Sequence, residues 1–384
     1  MTESSLHILI TDPHLGGGGQ VRYVSNLATQ LVRLGHKVVI GCRPGSVLVK
    51  SAADAGCPAR DTFAFRGGLR LGAWSNDIKN FRSYIRENKP DIIHVSGSQD
   101  HWSAAVANHT LGRPVCILRT RHNTYKVANS LPNRILNRRL TDYQIVVCET
   151  VRRDLARHRA FDPARLCTIH NGVDATLYTP SAEPRARARA EFGYQPTDLV
   201  LGIAARLVEA KGHAFLFRAA ALLKENLPSL RILCFGQGAK EAQLGQLAAE
   251  LGIADIVTFG GFRNDMQECT QAFDIGVQPS IDCDTSSFSL KEQMALEIPV
   301  IASDYGGLVE LIDDGVEGMI VPAGSVEPLA AAIMSLDGDP PLRAAMGKAS
   351  RARVLREFTV EVFARRTVEA YRRALDIARQ RQGP

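Results

Sequence analysis

Two successive blocks of short apolar runs, each run followed by an amphipathic stretch, most constrain what this 384-residue chain can become. In the first block the strand-like runs are 6–11, 37–42, 91–95, 114–119, 143–148 and 165–169, with helix-like segments between them such as 20–34 and 102–111. Runs this apolar are buried on both faces, which predicts a parallel sheet covered by helices. The pattern restarts at Leu199. Runs 199–205, 230–235, 255–259, 273–277, 299–302 and 317–321 alternate with helix-like segments near 211–226, 239–251 and 286–297. Between the blocks, 179–197 is rich in Pro, Arg and Ala and has no strand pattern, and Asn171-Gly172 is a turn signal, so the join falls at about Asn171 to Pro180. The fold class is therefore α/β, with two halves that are each a parallel sheet covered by helices. A long helical stretch rich in Arg and Ala, about 359–381, ends the chain.

Composition removes the competing classes. With 45% hydrophobic and 22% charged residues the chain is ordinary globular protein, neither disordered nor collagen-like. No apolar run approaches the roughly 20 residues that span a bilayer. Met1 to Ser5 is polar and runs straight into a strand pattern, unlike a signal peptide. No two of the eight cysteines form a C-x-x-C pair, and several sit in apolar runs, so they read as reduced, mostly buried thiols of a cytoplasmic protein. Net charge is +6 but unevenly spread. Residues 1–175 carry 24 Lys+Arg against 13 Asp+Glu, a net of +11, and the remainder carries 22 against 27, a net of −5. The basic half either attracts anions, such as phosphate groups, an anionic membrane face or an acidic glycan, or is a solvated face with no partner.

Ligands of such sheets bind beyond the carboxyl ends of the strands, which directs attention to three segments. Gly16-Gly17-Gly18-Gly19-Gln20 follows the first strand and opens a helix, where glycine backbone and free N–H groups suit an anion, unless it is only a flexible turn. The second strand ends at Cys42-Arg43 without the acidic residue that holds an NAD ribose. Arg206 and Lys211 flank a helix start after run 199–205; two cations and a helix dipole make a diphosphate site, or a surface charge pair. Pro279 to Glu292 follows run 273–277. Its hydroxyls and N–H groups near Ser287 and Ser289 favour a phosphate, Glu292 suits a ribose diol, and Asp284 lies on the loop eight residues earlier.

Together these segments resemble the retaining glycosyltransferases of the GT-B fold, in the large family four. The likeness runs through the glycine loop, Asn171-Gly172-Val173-Asp174, Arg206…Lys211-Gly212, Gly236-Gln237-Gly238, Pro279-Ser280, Asp284…Glu292 and on to Gly306-Gly307 and Glu310. It implies two Rossmann-like domains facing across a cleft, with the C-terminal helix crossing back to the first. The first, 1–172 plus about 359–384, would bind the acceptor; the second, 173–358, would bind the donor. The resemblance gives His122, Arg206, Lys211 and Asp284 catalytic roles. It gives donor contacts to Gly18, Gly19, Gly236, Arg263, Ser287, Phe288, Ser289, Leu290 and Glu292. His101, on the loop after run 91–95, would also face the cleft toward the acceptor; Arg119 and Arg121 would either bind an anionic acceptor or simply sit on the surface, whereas His94, within that run, packs. The chain departs from the family in carrying Asp284 where Glu is usual, Thr285-Ser286 for Gly-Phe, and Gln20 where many members have Glu.

The implied activity is transfer of a sugar from a nucleoside-diphosphate sugar to a glycan or lipid-linked glycan with retention of configuration. Cell-envelope polysaccharide or lipopolysaccharide synthesis is the implied setting. No cofactor beyond the donor substrate, no metal and no nucleic acid is expected. The enzyme would be cytoplasmic, with peripheral contact to an anionic inner membrane. A nucleotide-sugar 2-epimerase of the same fold and a non-catalytic sugar-nucleotide-binding protein are the rival readings.

Overall fold

The structure, a computed structural model, describes residues 4–67 and 70–382. It divides into two units, one running to Gly172 and resuming at Val360, the other spanning Val173–Thr359. Val173 and Thr359, the ends of the second unit, are joined by a parallel bridge, and Val173 N–H donates to Phe358 O at 2.9 Å.

The first unit holds a seven-stranded parallel sheet: β1 (His7–Thr11), β2 (Lys37–Gly41), β3 (Ala59–Arg60), β4 (Ile92–Val95), β5 (Cys116–Arg121), β6 (Tyr143–Val146) and β7 (Leu166–Thr168), in the order β3-β2-β1-β4-β5-β6-β7. Six of these match the apolar runs. The seventh, β3, is a two-residue edge strand on β2 and carries no apolar run. The second unit holds six parallel strands: β8 (Leu199–Ala204), β9 (Leu230–Phe235), β10 (Val257–Gly261), β11 (Ile275–Gln278), β12 (Val300–Ser303) and β13 (Gly318–Val321), in the order β10-β9-β8-β11-β12-β13. Both are Rossmann-like sheets with helices on each face. Successive residues of β8 show why its run is continuous: Leu199, Leu201 and Ile203 enter one apolar cluster with Leu216 and Phe217, while Val200 enters another with Phe235, Phe273 and Met294.

The C-terminal helix, Val360–Gln382, belongs to the first unit, as expected. Its buried residues Phe363, Ala364, Thr367, Val368, Tyr371, Ala374 and Ala378 recur at helical spacing and face the helix Gly19–Arg33, β5 and β6. Buried among them is a hydrogen-bonded chain. The His94 ring lies between Tyr371 OH (2.8 Å from Nδ1) and Thr120 Oγ1 (2.6 Å from Nε2), and Thr120 Oγ1 is 3.0 Å from Tyr23 OH. His94 therefore packs, and it ties the last helix to β4 and β5.

Burial holds His94 neutral by lowering its pKa to about 3, and it lowers that of His213, at the head of the helix His213–Leu223, to about 4. Unfolded, both titrate near 6.5. The unfolded chain therefore binds more protons below that pH, so the stability these rings contribute is intact above about 6.5 and is lost as pH falls toward 3–4. Urea unfolding at pH 5 is expected to show the second unit about 2 kcal/mol less stable than at pH 7 from His213, and the first unit less stable by at least as much, since His94 is one of several histidines there whose pKa burial lowers. Equal stability at the two pH values would contradict the neutral assignment.

Candidate functional site

In an open parallel sheet, ligands lie at the carboxyl ends where neighbouring strands send their connections to opposite sides. In the second unit that point is between β8 and β11. The loops that follow these strands are pinned together: Ala210 O accepts from Ile281 N–H (2.9 Å) and Asp282 N–H (3.3 Å). One glycine permits this contact, and a second lets the loop after β12 approach the same segment. Gly212 has φ +73°, and a Cβ there would stand 1.8 Å from Pro279 O; Gly306 has φ +61°, and its Cβ would stand 2.1 Å from Asp284 O.

This pinning brings together residues 73 apart in sequence. Lys211 Nζ donates to Asp284 Oδ2 at 2.7 Å. The same oxygen accepts from Ser280 Oγ at 2.8 Å and Gln278 Nε2 at 3.0 Å. Asp284 Oδ1 has no partner among the described residues, so a buried carboxylate is fixed by one oxygen and open at the other. Arg206 is exposed after β8 and forms no ion pair among the described residues. Both cations lie near Cys283, the one exposed cysteine. Its thiol pKa is pushed up, chiefly by desolvation and by Asp282, against the pull of Lys211 and Arg206.

The helix Phe288–Ala295 starts where this loop ends. Ser287 Oγ caps it by accepting from Leu290 N–H at 3.2 Å, and the Leu290 side chain is core. Glu292 is buried in the second turn. Ser289 Oγ accepts from Gln293 Nε2 at 3.0 Å. Ser286, one of the departures from the family pattern, has a local reason: it accepts from the fully buried Lys291 Nζ at 2.9 Å, which lies 5.5 Å from the Phe288 ring and 5.6 Å from the Phe358 ring. Gly236 follows β9 and donates its N–H to Gly261 O at 2.8 Å. Arg263 follows the edge strand β10 and is held by Glu191 and Asp265, each at 2.6 Å. The structure thus gives Arg263 a structural pairing, with β9 and β8 standing between its strand and β11.

In the first unit the corresponding point lies between β1 and β4. Gly18 (φ +142°) precedes the helix Gly19–Arg33. Buried Asp12 organises the glycine loop, accepting from Gln20 Nε2 at 2.6 Å and lying 2.9 Å from His14 Nδ1. Buried Asp100 does the same after β4, taking Ser96 and Gly97 N–H and the Thr11 hydroxyl. His122 follows β5, partly buried and edge-on to Tyr23 with ring centroids 4.6 Å apart. Desolvation lowers its pKa to about 3, with His94 and Arg119 adding to the effect.

Two of the expected acceptor residues are corrected. His101 is not on a loop but within the helix Gln99–His109, fully buried. Thr141 Oγ1 gives its proton to Leu136 O, so His101 Nε2–H donates to Thr141 at 2.7 Å while Nδ1 accepts from Arg119 Nη1 at 2.9 Å. Arg121 is spent on Gln144 (3.0 Å), Asn137 (2.9 Å) and the face of Phe161. Both side chains serve the packing of the unit. Arg119, on the same face of β5, also donates from Nη2 to Ser98 Oγ at 3.2 Å.

The sequence matches the Glycosyltransferase Family 4 model over residues 17–177 and the Glycosyl transferases group 1 model over 184–353. It is 32% identical over 368 residues to a D-inositol 3-phosphate glycosyltransferase of Corynebacterium aurimucosum, covering 87% of this chain and 86% of that one. The chain belongs to glycosyltransferase family 4. Among solved structures, a Rickettsia africae glycosyltransferase superposes with a TM-score of 0.87 at 23% identity, over 97% of this chain and 99% of that one. Anabaena HepE, solved in complex with UDP, superposes at 0.83 and 20%, over 95% and 99%. These structures place the glycosyltransferase in the GT-B fold.

Asp12, Asp100 and Gln278 carry no signal in the sequence pattern that marks them as site residues, and Ser280 carries one only within the family marker Pro279-Ser280. Among the described residues no group of three or more His, Cys, Asp or Glu is placed to hold a metal ion, and no helix is long and apolar enough to cross a membrane.

Lys211 and Asp284 are both mostly buried, so removing one partner strands the other. Lys211→Met alone is expected to cost about 3 kcal/mol in urea unfolding. The double variant Lys211→Met/Asp284→Leu is expected to cost less than the sum of the two single variants by at least about 1 kcal/mol. Strict additivity would mean that the two groups are not coupled in solution.

Proposed function

We propose that this glycosyltransferase transfers a glycosyl group from a nucleoside-diphosphate sugar to a glycan or lipid-linked glycan with retention of configuration. The second unit serves as the donor-binding unit and the first as the acceptor-binding unit, the last helix included. The observation that carries the reading is the Asp284 carboxylate, held through Oδ2 by Lys211, Ser280 and Gln278 and open at Oδ1, at the carboxyl-end switch point where Arg206, without an ion pair among the described residues, follows β8. HepE, of the same fold, was solved with UDP and, separately, with UDP-glucose, which supports a nucleotide-sugar donor here.

In this reading Arg206, Lys211 and the start of the helix Phe288–Ala295 take the diphosphate, and Glu292 takes the ribose. The open Asp284 oxygen accepts from a sugar hydroxyl. Gly18, Gly19 and His122 are the first unit's groups proposed for the donor. As the bond from the anomeric carbon to phosphate breaks, its electron pair leaves with the nucleoside diphosphate. The acceptor hydroxyl bonds to the same face of that carbon, and its proton passes to a β-phosphate oxygen. The protein contributes position and charge stabilisation, without a strong base and without a metal. The basic first half fits a phosphorylated or acidic acceptor, met by a cytoplasmic enzyme at the inner face of the plasma membrane during envelope polysaccharide or lipopolysaccharide synthesis.

Nucleoside diphosphate released from a panel of nucleotide sugars, with acceptor extracts present, is the direct assay. Arg206→Ala and Lys211→Ala are each expected to lower turnover about 10²–10³-fold. Near-normal turnover in either variant would remove that residue from the site, and donor isomerisation without acceptor would favour the epimerase reading.

A further inference from the structure

The chain has two tryptophans, and both line one cavity of about 330 Å³ in the first unit. Trp74 lies on the helix Leu71–Asn88 and is 41% exposed; Trp102 lies on the helix Gln99–His109, which packs beside it. Arg66 and Arg70 stand at the rim, both exposed and neither in an ion pair among the described residues. Ser98 and Gln99, at the carboxyl end of β4, add a hydroxyl and an amide, and Ser98 Oγ is the atom that accepts from Arg119.

The acid facing this cavity, Asp77, is committed elsewhere. Its carboxylate accepts from Ala64 N–H (2.6 Å) and Phe65 N–H (2.9 Å), so it anchors the segment leading to Arg66 and leaves the rim cationic. Trp74 thus leaves a large indole partly open to the cavity. Its face carries negative charge density, which suits the partly positive C–H face of a pyranose ring. Two arginines beside it suit phosphate or carboxylate. The volume lies at the small end of ligand cavities, about 300–1,000 Å³. A concave site with Ser98 and Gln99 at its edge matches a ring with hydroxyls better than a lipid surface, which would meet only the rim.

We propose that this cavity is the acceptor subsite and that it takes a sugar ring bearing an anionic group, the ring on Trp74 and Trp102 and the charge on Arg66 and Arg70. The inference rests on the transferase reading above. It gives the acceptor a chemical class and gives Arg119 a supporting role, through Ser98, instead of a direct contact.

Because both tryptophans line the cavity, intrinsic fluorescence of the full chain reports its occupancy. Glucose 6-phosphate is expected to change the emission saturably. Glucose alone and inorganic phosphate alone should each bind at least tenfold more weakly, since each engages half of the site. The Arg66→Gln/Arg70→Gln variant should raise the dissociation constant for glucose 6-phosphate at least tenfold while keeping the wild-type Tm, and Trp74→Phe should reduce the amplitude. No saturable response to glucose 6-phosphate, an equal response to phosphate alone, or a response only to phosphatidylglycerol vesicles would each overturn the proposal, the last by making this face a membrane contact. Nucleoside-diphosphate binding, measured on the same samples, separates the two levels. If it persists while the sugar phosphate fails, only this subsite is wrong; if it too is absent, the transferase reading falls with it.

Discussion

β8 lies between β9 and β11, so the chain leaves β8 toward one side of the sheet and leaves β11 toward the other. That divergence opens the end of the second sheet, and the rest of its chemistry depends on how the two loops then meet. The Gly212 and Pro279 backbones come too close for any side chain at Gly212, and Ala210 O ties down Ile281 and Asp282. With the loops so joined Lys211 reaches Asp284, and with Ser280 and Gln278 on the same oxygen the other oxygen takes none of the three bonds and is left for a ligand. The shorter acid in place of the family's glutamate is therefore held back by three donors rather than left loose.

The first unit repeats the topology with different chemistry. Where the second unit uses a cation and an acid at its switch point, the first uses two buried acids, Asp12 and Asp100, to shape backbone loops. Its surplus of arginines is split. Arg121 and part of Arg119 are absorbed in packing, and Arg66 and Arg70 remain at a tryptophan-lined cavity. The +11 balance of the first 175 residues is thus partly structural and partly available to a ligand.

Twelve of the thirteen strands and the division into two sheets were legible because strands buried on both faces leave unbroken apolar runs, whereas the return of the last helix followed only from the family resemblance. Ala59–Arg60 was not, since two residues at a sheet edge need no apolar run. The order of site segments was legible from glycines and charges beyond strand ends. Their contacts were not: nothing in sequence pairs Lys211 with Asp284. His101 was misplaced because the helix starts at Gln99, one turn earlier than its apolar pattern, which turns the ring inward. Arg119 and Arg121 share a strand face by the two-residue period, but which helix covers that face is a tertiary fact.

The central claim is that the loops after β8 and β11 hold the diphosphate of a nucleotide. The most direct test is thermal unfolding of the full chain with UDP, GDP, ADP and CMP, first without divalent metal and then with magnesium. The account expects one nucleoside diphosphate, at 100 times its dissociation constant, to add about 2.7 kcal/mol of stability without metal, and Arg206→Ala to abolish that gain. Stabilisation by none of them, or a gain untouched by Arg206→Ala, would contradict it.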